Sequence, residues 1–220
     1  MLKRVYVWEL PVRLTHWLNA TAIVVLSVTG FYIGFPFIFS PPYSPPTEFL
    51  VMSIMRFIHM VAAYIFTISF FIRIYWFFTG NQYARWGDYI PLTKKAWRDI
   101  LDDLKFYLFM KKELPHRAGH HALAAFTYLA LFFFYLLEII TGFLLSSMSH
   151  HGWVYRVQVE WFLPYIPAQT QTLRLYHHLF MWGVIFFAII HIYIAWVIDM
   201  KERNGIISSI FSGYKILDVD

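Results

Sequence analysis

Residues 175–198 read LYHHLFMWGVIFFAIIHIYIAWVI, without one Asp, Glu, Lys or Arg, and the reading of this stretch decides the fold. A helix rises about 1.5 Å per residue and needs about 20 apolar residues to cross a hydrocarbon core, so this stretch is a membrane span. Three others qualify. No charge falls between Arg13 and Glu48, residues 49–78 are interrupted only by Arg56, His59 and Arg73, and residues 122–149 carry Glu138 as their single charge. Between the first two spans, the paired prolines of SPPYSPPT (40–47) cannot continue a helix, because each lacks an amide hydrogen. The expected fold is all-α: an integral membrane bundle of four transmembrane helices over about 14–38, 49–78, 120–147 and 173–199, in one domain covering 1–220.

Composition agrees with that class. Hydrophobic residues make up 59% of the 220 positions and charged residues 14%, too lopsided for a soluble fold. The 23 Phe, 15 Tyr and 9 Trp suit lipid-facing helices with interfacial anchors. With no Cys, the chain can hold no disulfide, no iron–sulfur cluster and no covalently attached haem. A cleaved signal peptide is not expected, since Glu9, Pro11 and Arg13 precede a run too long for an h-region.

The net charge of +5 is explained by topology and not by a nucleic-acid partner. Fourteen Lys and Arg fall before span one, between spans two and three, or after span four, whereas the opposite side has only Arg56, Arg156 and Arg174. Positive loops stay inside, so both termini and the segment 79–119 are expected in the cytoplasm. Within that segment Trp97, Ile100, Leu101, Leu104 and Leu108 recur at helical spacing against Lys94, Lys95, Arg98, Asp102 and Lys105. A helix lying among headgroups and an ordinary solvated helix both fit this pattern. The outer loop 150–174, with Trp153, Trp161, Pro164 and Pro167, is expected to rest on the interface.

Ten histidines in so apolar a chain require an account, because ionisable groups inside a membrane are costly. His116, His120 and His121 lie at the inner mouth of span three and His150 and His151 in the outer loop, where water is at hand. His16, His59, His177 and His191 lie within spans. Fourteen residues separate His177 from His191, a rise of about 21 Å with the rings about 40° apart on one face. His178, thirteen residues from His191, points to a nearly opposite face.

Topology then matches His16 with His191 near the cytoplasm and His59 with His177 near the exterior. Two neutral imidazoles facing each other across a bundle are what a low-spin b-type haem needs. A single zinc ion does not fit four rings at two levels about 21 Å apart. Interhelical hydrogen bonding and a proton relay are other accounts of the same histidines. Arg56 and Arg73 are candidate partners of haem propionates, through bidentate guanidinium pairing, and snorkelling to the headgroups is the alternative for each. Arg73 lies fourteen residues inward from His59, at about the inner level. Glu138 could pair with a cation or stay protonated.

Several segments together carry a resemblance: YVWELPVRLTHWLNA at the N-terminus, RFIHMVAAYIFTISFFIRIYWFFTGNQYARW in span two, YHHLFMWGVIFFAIIHIYIAWVIDM in span four and the closing SSIFSGYK. Over nearly its whole length the chain resembles the b-type cytochrome subunit of membrane-bound nickel–iron hydrogenases, within the cytochrome b561 and formate dehydrogenase gamma-like group. The resemblance implies two haem b groups, with His16, His59, His177 and His191 as axial ligands. It also implies electron transfer from the hydrogenase small subunit, which with its large subunit is the expected partner, to menaquinone or ubiquinone in the bacterial inner membrane. Where the family often has GHNP at the start of span three, this chain has Gly119, His120, His121 and Ala122, a departure that weakens what the resemblance implies for quinone contact there and leaves His120 and His121 as weak candidates for it. Hydrogen oxidation itself must belong to a partner, since no thiol here can hold nickel or a cluster. Rival readings are a cytochrome serving another dehydrogenase, such as formate dehydrogenase, and a cofactor-free anchor or proton relay.

Overall fold

The computed structural model describes residues 2–36, 47–85, 91, 93–108, 110–111, 122–148, 170–203 and 205–218. In chain order these form β1 (Leu2–Tyr6), α1 (Leu10–Gly34), α2 (Thr47–Thr79), α3 (Lys94–Tyr107), α4 (Ala122–Ser147), α5 (Thr170–Glu202), α6 (Ile206–Ser212) and β2 (Tyr214–Asp218). Four helices are long and apolar enough to cross a membrane: Leu10–Gly34, Leu50–Thr79, Ala122–Ser147 and Thr170–Lys201. Their outward faces are not covered by protein. Phe57, Phe186 and Ile192 are 70%, 67% and 69% exposed, as side chains facing lipid must be. Helix α1 starts at Leu10, ahead of the expected 14, because Pro11 falls in its first turn, where a missing amide hydrogen costs nothing.

Two compact units are present, Met1–Ala125 with Ala195–Asp220, and Phe126–Ile194. In the first, α1 and α2 run antiparallel, as two contacts require. Ser69 Oγ donates to the Thr15 carbonyl at 3.4 Å, and Thr29 Oγ1 lies 2.8 Å from His59 Nδ1, so advancing along one helix means retreating along the other.

The same unit contains a feature that the sequence reading lacks. Strands β1 and β2 pair antiparallel, Leu2 with Asp218 through Tyr6 with Tyr214, adding a short ribbon to the expected all-α bundle. The Val7 and Trp8 amides donate to the Gly213 carbonyl at 2.8 and 3.0 Å, and Trp8 Nε1–H donates to Ser209 Oγ at 3.0 Å. Arg13 Nη1 donates to the Phe211 carbonyl. Glu9 accepts from Trp76 Nε1–H and from the Asn81 amide, both at 2.8 Å, and Asn81 Nδ2 returns a bond to the Val7 carbonyl. The beginning of α1, the end of α2 and the C-terminal α6–β2 segment are thereby knitted into one cap around buried Val7, Trp8, Val12 and Ala84.

Helix α3 adds to this unit. Thr93 Oγ1 caps it by accepting from the Ala96 amide at 3.1 Å, and buried Asp103 in turn accepts from the Leu123 amide at 3.0 Å, satisfying an orphan donor at the start of α4. Lys201, near the end of α5, stands 4.6 Å over the Phe106 ring. Trp97, Leu101, Leu104 and Leu108 are exposed on one side, while Ile100 and Asp103 are buried on the other.

In the second unit α4 meets α5, also antiparallel. Tyr128 OH lies 3.1 Å from His191 Nδ1 and Thr141 Oγ1 lies 2.9 Å from His177 Nδ1, so the order reverses between the two helices.

Candidate functional site

His16 and His59 in the first unit, and His177 and His191 in the second, are half-buried, as is His178 beside His177. In the first unit His59 is level with Thr29, while His16 follows Thr15, which is level with Ser69. Fourteen residues of α1 separate the two levels, about 21 Å. In the second unit His177 is level with Thr141 and His191 with Tyr128, again fourteen residues apart along α5. The two units repeat one spacing.

What surrounds each ring decides which nitrogen is left for a ligand. Thr29 has one hydroxyl hydrogen and donates it to the Val25 carbonyl at 2.7 Å, one turn back along its helix. Its oxygen, 2.8 Å from His59 Nδ1, is therefore an acceptor, and His59 carries its proton on Nδ1. His177 repeats the device: Thr141 donates to the Leu137 carbonyl at 2.7 Å and accepts from His177 Nδ1–H at 2.9 Å. Glu138 Oε2 lies 2.8 Å from the same nitrogen and shares that proton. Both imidazoles thus have the Nδ1 proton held by side chains of the neighbouring helix, the outer-shell arrangement that orients a histidine ligating through Nε2.

His191 is fixed from two sides. Tyr128 OH meets its Nδ1, and Phe187 stacks on its face with centroids 5.7 Å apart and planes at 10°. His16 stands edge-on to Trp17 at 5.2 Å. Small residues leave room for these rings: Gly142 faces the His177 edge, where an added Cβ would come within 3.1 Å of Cε1. Near the first histidine, Asn19 is buried in α1.

The arginines differ from each other. Arg56 is exposed, whereas Arg73 is buried, with its guanidinium 4.4 Å above the Phe77 ring and Nη1 3.5 Å from the Ala84 carbonyl. His120 and His121 lie outside the described residues, as do His116, His150 and His151. Thr29, Tyr128 and Thr141 escaped the sequence reading, although Glu138 and Thr141, three apart, fall on one helix face and mark it as polar.

The family model described as prokaryotic cytochrome b561 matches residues 7–213. The chain belongs to this family. As a b-type cytochrome it carries haem b, takes part in electron transport, and is a multi-pass protein of the bacterial inner membrane. This cytochrome is similar to the probable Ni/Fe-hydrogenase B-type cytochrome subunit of Cupriavidus necator, 39% identical over 97% of this chain and 88% of the relative. The subunit of that name from Rhodobacter capsulatus is 38% identical over 98% of this chain and 83% of its own length. The probable Ni/Fe-hydrogenase 1 B-type cytochrome subunit of Escherichia coli K12 is 34% identical, over 96% and 90%. The donor set fits the cofactor of such a cytochrome, since imidazoles whose Nδ1 is held by outer-shell partners suit a haem iron.

Proposed function

We propose that this cytochrome is the membrane electron-transfer subunit of a nickel–iron hydrogenase, accepting electrons from the iron–sulfur small subunit and delivering them to quinone. The relatives' names favour hydrogenase over another respiratory dehydrogenase as the partner. The observation that carries the reading is the repeated spacing, two helix pairs each offering imidazoles about 21 Å apart in height. His16 with His191 would hold one haem b and His59 with His177 the other. Haem b, when bound, supplies a one-electron couple at each level.

The chain's own residues do the rest. Thr29, and Thr141 with Glu138, hold the Nδ1 protons of their histidines and so present Nε2. Arg73, buried in α2, can offer a guanidinium to a propionate, and Arg56 is its exposed counterpart. His120 and His121 are proposed for quinone contact. The first unit contains the start of α1, the end of α2, the start of α4 and the end of α5. That gathering favours both termini and 79–119 on a single side, the cytoplasmic one by charge.

Haem extraction from the purified complex, with quinone reduction measured on the same sample, tests the proposal. Two protohaems per chain are expected, and His191→Ala is expected to lose one of them and abolish quinone reduction while sparing hydrogen oxidation with an artificial acceptor. A haem-free active complex would refute it.

A further inference from the structure

We infer that Glu138 is a positioning residue that sets the reduction potential of the haem held by His177, drawing it below the value a neutral side chain would give. The inference rests on the haem ligation proposed above and goes beyond it by assigning the one acidic residue of span three. At His59 the Nδ1 proton goes to a hydroxyl oxygen; at His177 a carboxylate oxygen at 2.8 Å is added to the hydroxyl at 2.9 Å. The carboxylate's other oxygen, Oε1, is buried and makes no hydrogen bond among the described residues. Among the described residues the carboxyl group's close polar partner is thus the His177 ring nitrogen.

Two effects follow, with the same sign. A carboxylate drawing on Nδ1–H makes Nε2 a stronger donor, which favours the more positively charged, oxidised iron. A negative charge held in the low-dielectric interior also favours the oxidised state directly, with little screening by salt. Reduction adds one electron and removes one positive charge, so both effects oppose it. Thr141, neutral, orients the ring without the second effect.

Potentiometric titration of the purified, haem-loaded full-length cytochrome tests this. Glu138→Gln keeps an oxygen at the site and removes the charge; it should raise the potential of one haem, the one that His177→Ala eliminates, by about tenfold in the one-electron equilibrium, which is about 59 mV. Thr141→Val should shift that haem less. If Glu138→Gln does not take up haem, Glu138→Asp serves, with a smaller upward shift expected because the charge is one methylene farther away. An unchanged potential in a haem-loaded Glu138 variant, or a larger shift from Thr141→Val, overturns the inference. Retention of both haems by His177→Ala would instead refute the ligation itself, so the two failures are distinguishable.

Discussion

Gly142 in α4 lies against the edge of the His177 ring in α5, so close that a Cβ on it would sit 3.1 Å from Cε1. The ring cannot simply retreat, because Glu138 and Thr141 hold its Nδ1 from the same helix that would be pushing. Gly142→Ala should therefore weaken haem binding at the His177 level alone, by about tenfold, the lower end for disturbed outer-shell contacts. The helix itself gains from the change, since Ala is favoured over Gly by about 1 kcal/mol. Lower haem content with unaltered or raised thermal stability would show that the glycine serves the ring; unchanged content would show that the ring has room.

Thr29→Val removes the acceptor of His59 Nδ1–H while keeping side-chain shape. The ring loses its fixed tautomer, and affinity for the haem at that level should fall about 10–100-fold. Haem titration of the depleted protein measures it. Thr67, which among the described residues bonds back to Ala63 in the same helix, provides the control: Thr67→Val should leave haem affinity unchanged.

The cap between the chain ends is a stability device. Ser209→Ala removes the hydroxyl that accepts from buried Trp8 Nε1–H at 3.0 Å and should cost about 1 kcal/mol. Gly213→Ala should cost more. Its φ of 89° is in the left-handed region and an added Cβ would meet the Tyr6 ring at 2.5 Å. Denaturation followed by tryptophan fluorescence ranks the two, and the reverse order would contradict the geometry.

Outside the spans, Lys111 donates to Asp102 at 2.8 Å and, with Lys105, holds its carboxyl below the ordinary 3.8. A depressed folded value stabilises the folded form above the unfolded pKa, and the contribution disappears as pH falls through the folded one. Lys111→Met should move the Asp102 titration back toward 3.8, as carboxyl-selective NMR would record. The pair is exposed, so global stability should barely change.

Most of the fold was legible because a bilayer leaves few solutions for an apolar run of about 20 residues. The spacing from His177 to His191 carried information because fourteen residues bring a helix back to nearly the same face. The ribbon was not legible. LKRVY and YKILD are five residues each, and nothing local tells one end of a chain that it pairs with the other. Glu138 could be singled out as a buried acid but not given a partner, since contact with His177 depends on the register between α4 and α5. Thr29 and Thr141 were hidden for a related reason. A threonine in an apolar helix ordinarily bonds to its own backbone, as these do, and only the neighbouring helix reveals the free side of the oxygen.

The central claim is that histidines from different helices act in two pairs at two heights. Haem content and spectra of single and double variants test it most directly. His16→Ala, His191→Ala and their double variant should each retain one and the same haem, and the His59→Ala, His177→Ala set should each retain the other. A double variant within either proposed pair that loses both haems, while each single variant loses a different one, would contradict it.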